Sequence, residues 1–179
     1  MDLKSSQADG RALSHLHIAA YDAGMDETAQ QRIRELRLEP HPEGGFYRRI
    51  HESRTTVEHG GRRRPALTAI DFLLPQGQVS QWHRVDADEC WHWQEGDALE
   101  LRVFDAGSRR VVTVRLENAS HDTALHIVPA GHWQAAWPLG TFTRVVCAVS
   151  PGFVWDGFEL LEPDSDVAHA LAEAGALHL

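Results

Sequence analysis

From Phe46 onward the chain is a series of short apolar-rich runs separated by turn residues. Leu99, Leu101 and Val103 face one way, while Glu100 and Arg102 face the other; this period of two marks a half-buried strand. On this basis strands are predicted over Phe46–His51, Leu67–Leu74, Val79–His83, Glu89–Gln94, Leu99–Phe104, Val111–Leu116, Ala124–Val128, His132–Trp137, Phe142–Val149 and Trp155–Leu160. Turn residues punctuate them at Pro75-Gln76-Gly77, Glu95-Gly96-Asp97, Asp105-Ala106-Gly107, Pro129-Ala130-Gly131 and Pro138-Leu139-Gly140. Many short strands at this spacing predict an all-β sandwich or barrel. The βαβ rhythm of a nucleotide-binding parallel sheet is absent from the pattern.

Helical patterning flanks the strands. Ile33 and Leu36 share a face in a helix predicted over Glu27–Leu36, with Asp26 as N-cap. A second short helix is predicted within Pro163–Ala174, capped by Asp164 or Ser165. Between the first helix and the first strand, Pro40-His41-Pro42-Glu43-Gly44-Gly45 excludes regular structure, because two prolines fix φ and two glycines open conformations closed to other residues. Residues 1–24 are polar and poorly patterned and are expected to form a flexible tail, with Met25 an alternative start; residues 25–179 then form one domain.

Composition narrows the function classes. The 179 residues suit one domain with a sizeable core. Seventeen basic against 26 acidic residues give a formal charge of −9, which argues against nucleic acid and against an anionic membrane surface. Arg62-Arg63-Arg64, between Gly61 and Pro65, reads as a solvated loop. No apolar run reaches the roughly 18 residues of a membrane span and no signal-peptide pattern opens the chain, so a cytoplasmic location is expected. Cys90 and Cys147 have no metal-type spacing and read as buried free thiols.

The candidate chemistry lies in Gly77 to Gly96. His83 and Glu89 stand on either side of a loop between two strands, where both side chains can face one cavity. By strand alternation Glu89, Trp91 and Trp93 share a face, so the two indoles are expected to wall that cavity. Burial against them would raise the pKa of Glu89, and His83 beside it would serve as base. The alternative is a structural His–Glu hydrogen bond in a filled core. His41, Glu43, Tyr47 and Arg49 surround the double-glycine bend; if that segment borders the pocket, Tyr47 and Arg49 share a strand face and would bind a carboxylate or phosphate, and otherwise the glycines only turn the chain into its first strand. Asp71 is read as either pocket-facing or edge-exposed, Asp86 and Asp88 as loop-tightening, and Trp155 and Phe158 as core or subunit contacts.

These motifs resemble the cupin superfamily. Gly77, His83, Val85, Glu89 and Gly96 match the spacing of its first motif, glycine, His-x-His, glutamate and glycine. Pro129-x-Gly131-x-x-Gln134 resembles its second, Pro-x-Gly-x-x-His. More narrowly, Pro40 to Arg48, reading PHPEGGFYR, is similar to the opening signature of a cupin-like family labelled a domain of unknown function. His83 to His92, Val128 to Gln134 and Pro151-Gly152-Phe153 resemble further segments of that family. The resemblance implies a double-stranded β-helix or jelly-roll barrel, commonly a homodimer. In metal-binding cupins three histidines and a glutamate are the ligands; carried over, these positions are His83, Val85, Glu89 and Gln134, so two donors are replaced.

Three readings follow. In the first, a metal-independent epimerase- or isomerase-type cupin binds a small polar organic ligand, with His83 and Glu89 catalytic and Tyr47, Arg49, Trp91, Trp93 and Gln134 binding the ligand. In the second, a divalent metal held by His83, Glu89 and His132 serves an oxygenase or isomerase. In the third, the pocket binds a ligand and does no chemistry.

Overall fold

The computed structural model describes residues 25–119 and 123–177, so the expected tail lies outside the described residues. The elements are α1 (Glu27–Leu36), β1 (Glu39–Pro40), β2 (Phe46–Glu52), β3 (Thr56–His59), β4 (Arg62–Pro65), β5 (Thr68–Pro75), β6 (Ser80–Val85) and β7 (Asp88–Gly96). There follow β8 (Leu99–Asp105), β9 (Arg110–Leu116), β10 (Leu125–Val128), β11 (Trp133–Pro138), β12 (Phe142–Ser150), a 3-10 turn (Trp155–Gly157), β13 (Phe158–Leu160) and α2 (Asp166–Glu173). Six strands form one antiparallel sheet in the order β1-β2-β5-β12-β7-β10, and five form the other in the order β13-β6-β11-β8-β9. This is the all-β jelly roll that the strand pattern and the motifs predict. Among the described residues no helix is long and apolar enough to cross a membrane.

Strand alternation sorts side chains between the sandwich interior and two outer layers. Phe72, Leu74, Trp91, Leu101, Val103 and Val145 meet between the sheets. On β6 and β11 the intervening residues Trp82, Trp133 and Ala135 turn outward and are covered by Leu171 of α2. Ser165 caps that helix by accepting from the Ala168 N–H. Leu171 is fully buried, which contributes roughly 1.5–3 kcal/mol of apolar transfer. Helix α1, capped by Asp26, lays Ala29 and Ile33 against Leu73 and Phe142 on the outer face of the six-stranded sheet.

Charged residues complete that outer face. Asp71 is neither pocket-facing nor edge-exposed: its carboxylate is buried between Arg144 (2.8 Å) and Arg48 (3.3 Å). Arg144 also bonds Glu95, whose other oxygen receives Arg32 of α1. The arginine run is not a solvated loop, because Arg62 to Pro65 forms β4 of a hairpin with β3. Arg64 points inward and its Nη1 donates to Asp86 at 2.7 Å.

The irregular segment before β2 is a tight turn. The His41 N–H donates to the Gly45 carbonyl and the Gly44 N–H to the His41 carbonyl. The Gln81 N–H then bonds the Glu43 carbonyl at 2.8 Å, lacing the turn to β6. Gly44 has φ +109°, and a Cβ there would stand 2.1 Å from the Val79 carbonyl oxygen. Gly44→Ala is therefore expected to cost roughly 2–4 kcal/mol of stability, combining a left-handed backbone with a backbone clash. Denaturant unfolding checks this, and an unchanged midpoint would contradict it.

Candidate functional site

A cavity of about 190 Å³ opens at one end of the sandwich. Its walls come from the turn before β2 (His41, Glu43), from β2 (Tyr47, Arg49), from β6 and β7 (His83, Glu89), and from the segment after β12 (Phe153, Trp155, Phe158). Ile70, Val85 and Val149 supply apolar floor.

The hydrogen-bond network behind the cavity has one consistent assignment. The Trp91 indole N–H can only donate, and it bonds Gln134 Oε1 at 2.9 Å. That bond orients the Gln134 amide, whose Nε2 donates to Glu89 Oε2 at 2.5 Å and to His83 Nε2 at 3.0 Å. His83 Nδ1 lies 2.7 Å from the Gln81 carbonyl, which can only accept. The His83 proton therefore sits on Nδ1, and Nε2 presents a lone pair. His83 and Gln134 are register partners on β6 and β11, which is why they meet. Trp133 on one side and Trp82 on the other take the outward positions of the same two strands.

Glu43 approaches from the other side. Its Oε1 accepts from the Ser80 hydroxyl at 2.8 Å. Its Oε2 stands 3.4 Å from His41 Nδ1 and 3.4 Å from His83 Nε2.

Burial dominates the electrostatics. It pushes the Glu43 carboxyl up to about 8, partly offset by the Ser80 hydrogen bond. It pushes Glu89 up to about 7, opposed by His83 and by the Gln134 hydrogen bond and reinforced by Glu43. It holds His41 down to about 3, with His83 adding to the effect. His83 is lowered by burial despite the neighbouring Glu89. Both imidazoles are neutral near pH 7, so their contacts with Glu43 are not ion pairs.

The structure brings together His83, Glu89, Tyr47 and Arg49, and places three other candidates elsewhere. Trp91 is fully buried in the core between the sheets, edge-on to Phe72, and does not wall the cavity. Trp93 packs against the same core, with its N–H on the Asp97 carbonyl. Glu89, Trp91 and Trp93 share one face of β7, as strand alternation predicts, but only Glu89 reaches the cavity. Gln134 is likewise not a wall residue. Its three polar contacts are all internal, and it braces His83 and Glu89 from behind. Trp155 and Phe158, read from the sequence as core or subunit contacts, line the cavity, and Trp155 is 53% exposed. The signal for them was present: three aromatics, Phe153, Trp155 and Phe158, lie within one short stretch after the last long strand. Trp155 stacks on His41, whose edge meets Tyr47.

The residues at the four cupin ligand positions do not fit a metal. Val85 offers no donor. The Gln134 amide turns its oxygen away onto Trp91 and directs its N–H groups at His83 and Glu89, so a hydrogen-bond donor faces the two atoms that would bind a cation. His132 does not join them. It precedes β11 and borders a shallow depression with Asp105, His126 and Ile127. Among the described residues no group of three or more His, Cys, Asp or Glu side chains is placed to hold a metal ion.

Comparisons with known proteins agree with this architecture. A family profile described as cupin superfamily (DUF985) matches residues 30–161. A solved structure of a hypothetical protein from Leishmania major is similar at 28% identity and a TM-score of 0.73, over 83% of this chain and 95% of that one. One from Shewanella oneidensis is similar at 32% identity and a TM-score of 0.72, over 83% and 94%. Oxalate decarboxylase of Bacillus subtilis shares the fold at 14% identity and a TM-score of 0.51, over 76% of this chain and 34% of that one. No curated protein matches the chain. From the matched span and the motifs it contains, the chain belongs to the cupin superfamily, in the family described as DUF985.

Proposed function

We propose that the cavity binds a small polar organic ligand and that Glu89 moves a proton to or from it, as in a metal-independent cupin of the isomerase type. The observation that carries this reading is the Gln134 amide, which engages one oxygen of Glu89 and leaves the other, in the cavity wall, without a partner among the described residues. A buried carboxyl held near pH 7 is suited to both giving and taking a proton. His83, whose Nε2 already receives the Gln134 N–H, supports Glu89 as a positioning residue rather than as the base. Arg49 at the mouth offers its guanidinium to an anionic group, and Trp155 offers a planar apolar face.

A thermal-shift screen over sugars, nucleotide-sugars and small organic acids tests the binding half, since a ligand of the native state raises Tm. With a ligand in hand, Glu89→Gln is expected to retain binding within a few-fold and to lose turnover by at least about a hundredfold. Trp155→Ala is expected to weaken binding by roughly tenfold and, through its lost ring contacts with His41, Phe153 and Phe158, to cost about 1–2 kcal/mol of stability. Turnover by the Glu89→Gln protein at the wild-type rate would rule out the proposed role.

A further inference from the structure

Glu43 carries a geometric conflict that fixes where a proton must be. Its Oε2 is 3.4 Å from two ring nitrogens. His83 Nε2 is a lone pair, because Nδ1 holds the proton for the Gln81 carbonyl. His41 Nδ1 is also a lone pair, because it accepts from the Glu43 backbone N–H at 3.4 Å. Each nitrogen already receives an N–H, His83 Nε2 from Gln134 and His41 Nδ1 from the Glu43 backbone, so neither can donate to Glu43 Oε2. A proton on Glu43 Oε2 removes the conflict, and Oε1 is already committed as an acceptor to Ser80. At 3.4 Å neither contact is a closed O–H···N bond, which would be markedly shorter. The hydroxyl is therefore available to an acceptor atom entering the cavity, which Glu43 lines.

Glu89 lines the same cavity, with one oxygen tied to Gln134 and the other without a hydrogen-bond partner among the described residues. From this arrangement we infer that Glu43 and Glu89 form an acid–base pair for enolising a short carbonyl compound that bears an anionic group. This rests on the proton-transfer role proposed for Glu89 and names its substrate class. The carbonyl oxygen accepts from the Glu43 hydroxyl, the anionic group meets Arg49, and a hydrogen on the carbon beside the carbonyl faces Glu89. In the forward step Glu89 takes that hydrogen as a proton. The C–H electron pair becomes the C=C bond, the carbonyl π pair forms the new O–H bond, and Glu43 gives up its proton to that oxygen. Collapse of the enol returns a proton from Glu89 to carbon and the hydroxyl proton to Glu43, so both groups are restored and no co-reactant is consumed. The small cavity confines the substrate to a few carbons.

The test is hydrogen–deuterium exchange at carbon, followed by proton NMR in D₂O, with pyruvate, 2-oxobutyrate and 2-oxoglutarate as probes. The wild-type protein is expected to accelerate exchange on at least one probe by tenfold or more over buffer. Glu89→Gln should return the rate to background, and Glu43→Gln should reduce it by at least tenfold with probe affinity changed less than threefold. Unchanged probe affinity of the Glu43→Gln protein separates loss of the acid from damage to the turn. Probe binding without exchange by wild type would overturn the enolisation step and leave ligand binding at this cavity standing. Binding of other ligand classes with no binding of these probes would overturn the substrate class alone. Exchange that survives Glu43→Gln undiminished would remove Glu43 from the chemistry.

Discussion

Trp91→Ala is expected to destabilise the fold by about 3–5 kcal/mol, the cost of emptying a large aromatic site in a close-packed core. The indole is fully buried, meets Phe72 at a ring separation of 5.9 Å, and lies among the side chains that join the two sheets. Its N–H is also the contact that orients Gln134. Trp91→Phe separates the two roles: it keeps much of the apolar volume but removes the donor, leaving Gln134 Oε1 unsatisfied at a cost of about 1–3 kcal/mol. With that bond gone the amide is free to turn over, so this milder variant is expected to disturb the Glu89 carboxyl more than its stability loss suggests. Urea unfolding of both variants checks the order, and a Trp91→Ala protein within about 0.5 kcal/mol of wild type would show that the indole is not a core residue.

Stability is expected to fall as pH rises from about 6.5 to 8. Glu43 and Glu89 are raised in the fold from 4.5 to about 8 and about 7. Above pH 4.5 the unfolded chain has released protons that the fold retains, so their contribution is full below 4.5 and is lost as pH rises through 7 to 8. His41 is depressed from 6.5 to about 3, and His83 shifts in the same direction. Their contribution is full above 6.5 and is lost as pH falls, because the unfolded chain binds protons that the buried imidazoles refuse. Between 4.5 and 6.5 the imidazole contribution opposes that of the carboxyls. From 6.5 to 8 only the carboxyls act, and the loss is on the order of 2–3 kcal/mol. Urea midpoints at pH 5.5, 6.5 and 8 measure it, with Glu43→Gln expected to flatten the alkaline limb. A midpoint that climbs from pH 6.5 to 8 would contradict the burial of both acids in their protonated forms.

Nine of the ten predicted strands have their counterparts in the structure, because short apolar runs with a period-two pattern are a local consequence of burying one face of a sheet; the tenth, Trp155–Leu160, is a 3-10 turn over Trp155–Gly157 followed by the short strand β13. The β3–β4 hairpin escaped that test. Arg62, Arg63 and Arg64 show no apolar alternation, and only the structure turns Arg64 inward to Asp86. The helix caps at Asp26 and Ser165 were legible for the same local reason: a side-chain acceptor beside free backbone N–H groups is a short-range event. The site divides along this line. His83 and Glu89 are close in sequence and were paired across their loop. Trp91 and Trp93 were assigned to the correct face and the wrong depth, since alternation tells which side of a sheet a residue takes and not how far it stands from the open end.

By itself, then, the amino-acid order determined the strands and the His83–Glu89 pair, which depend on contacts within or between neighbouring segments, while the jelly-roll class followed from the family resemblance of its motifs. Tertiary packing alone decided that Glu43 Oε2 stands 3.4 Å from His83 Nε2, that Gln134 turns N–H groups rather than oxygen toward His83 and Glu89, and that Trp155 stands at the mouth. The reason is physical. Protonation states and amide orientation are set by the donors and acceptors that surround a buried group, and those neighbours come from strands distant in the chain.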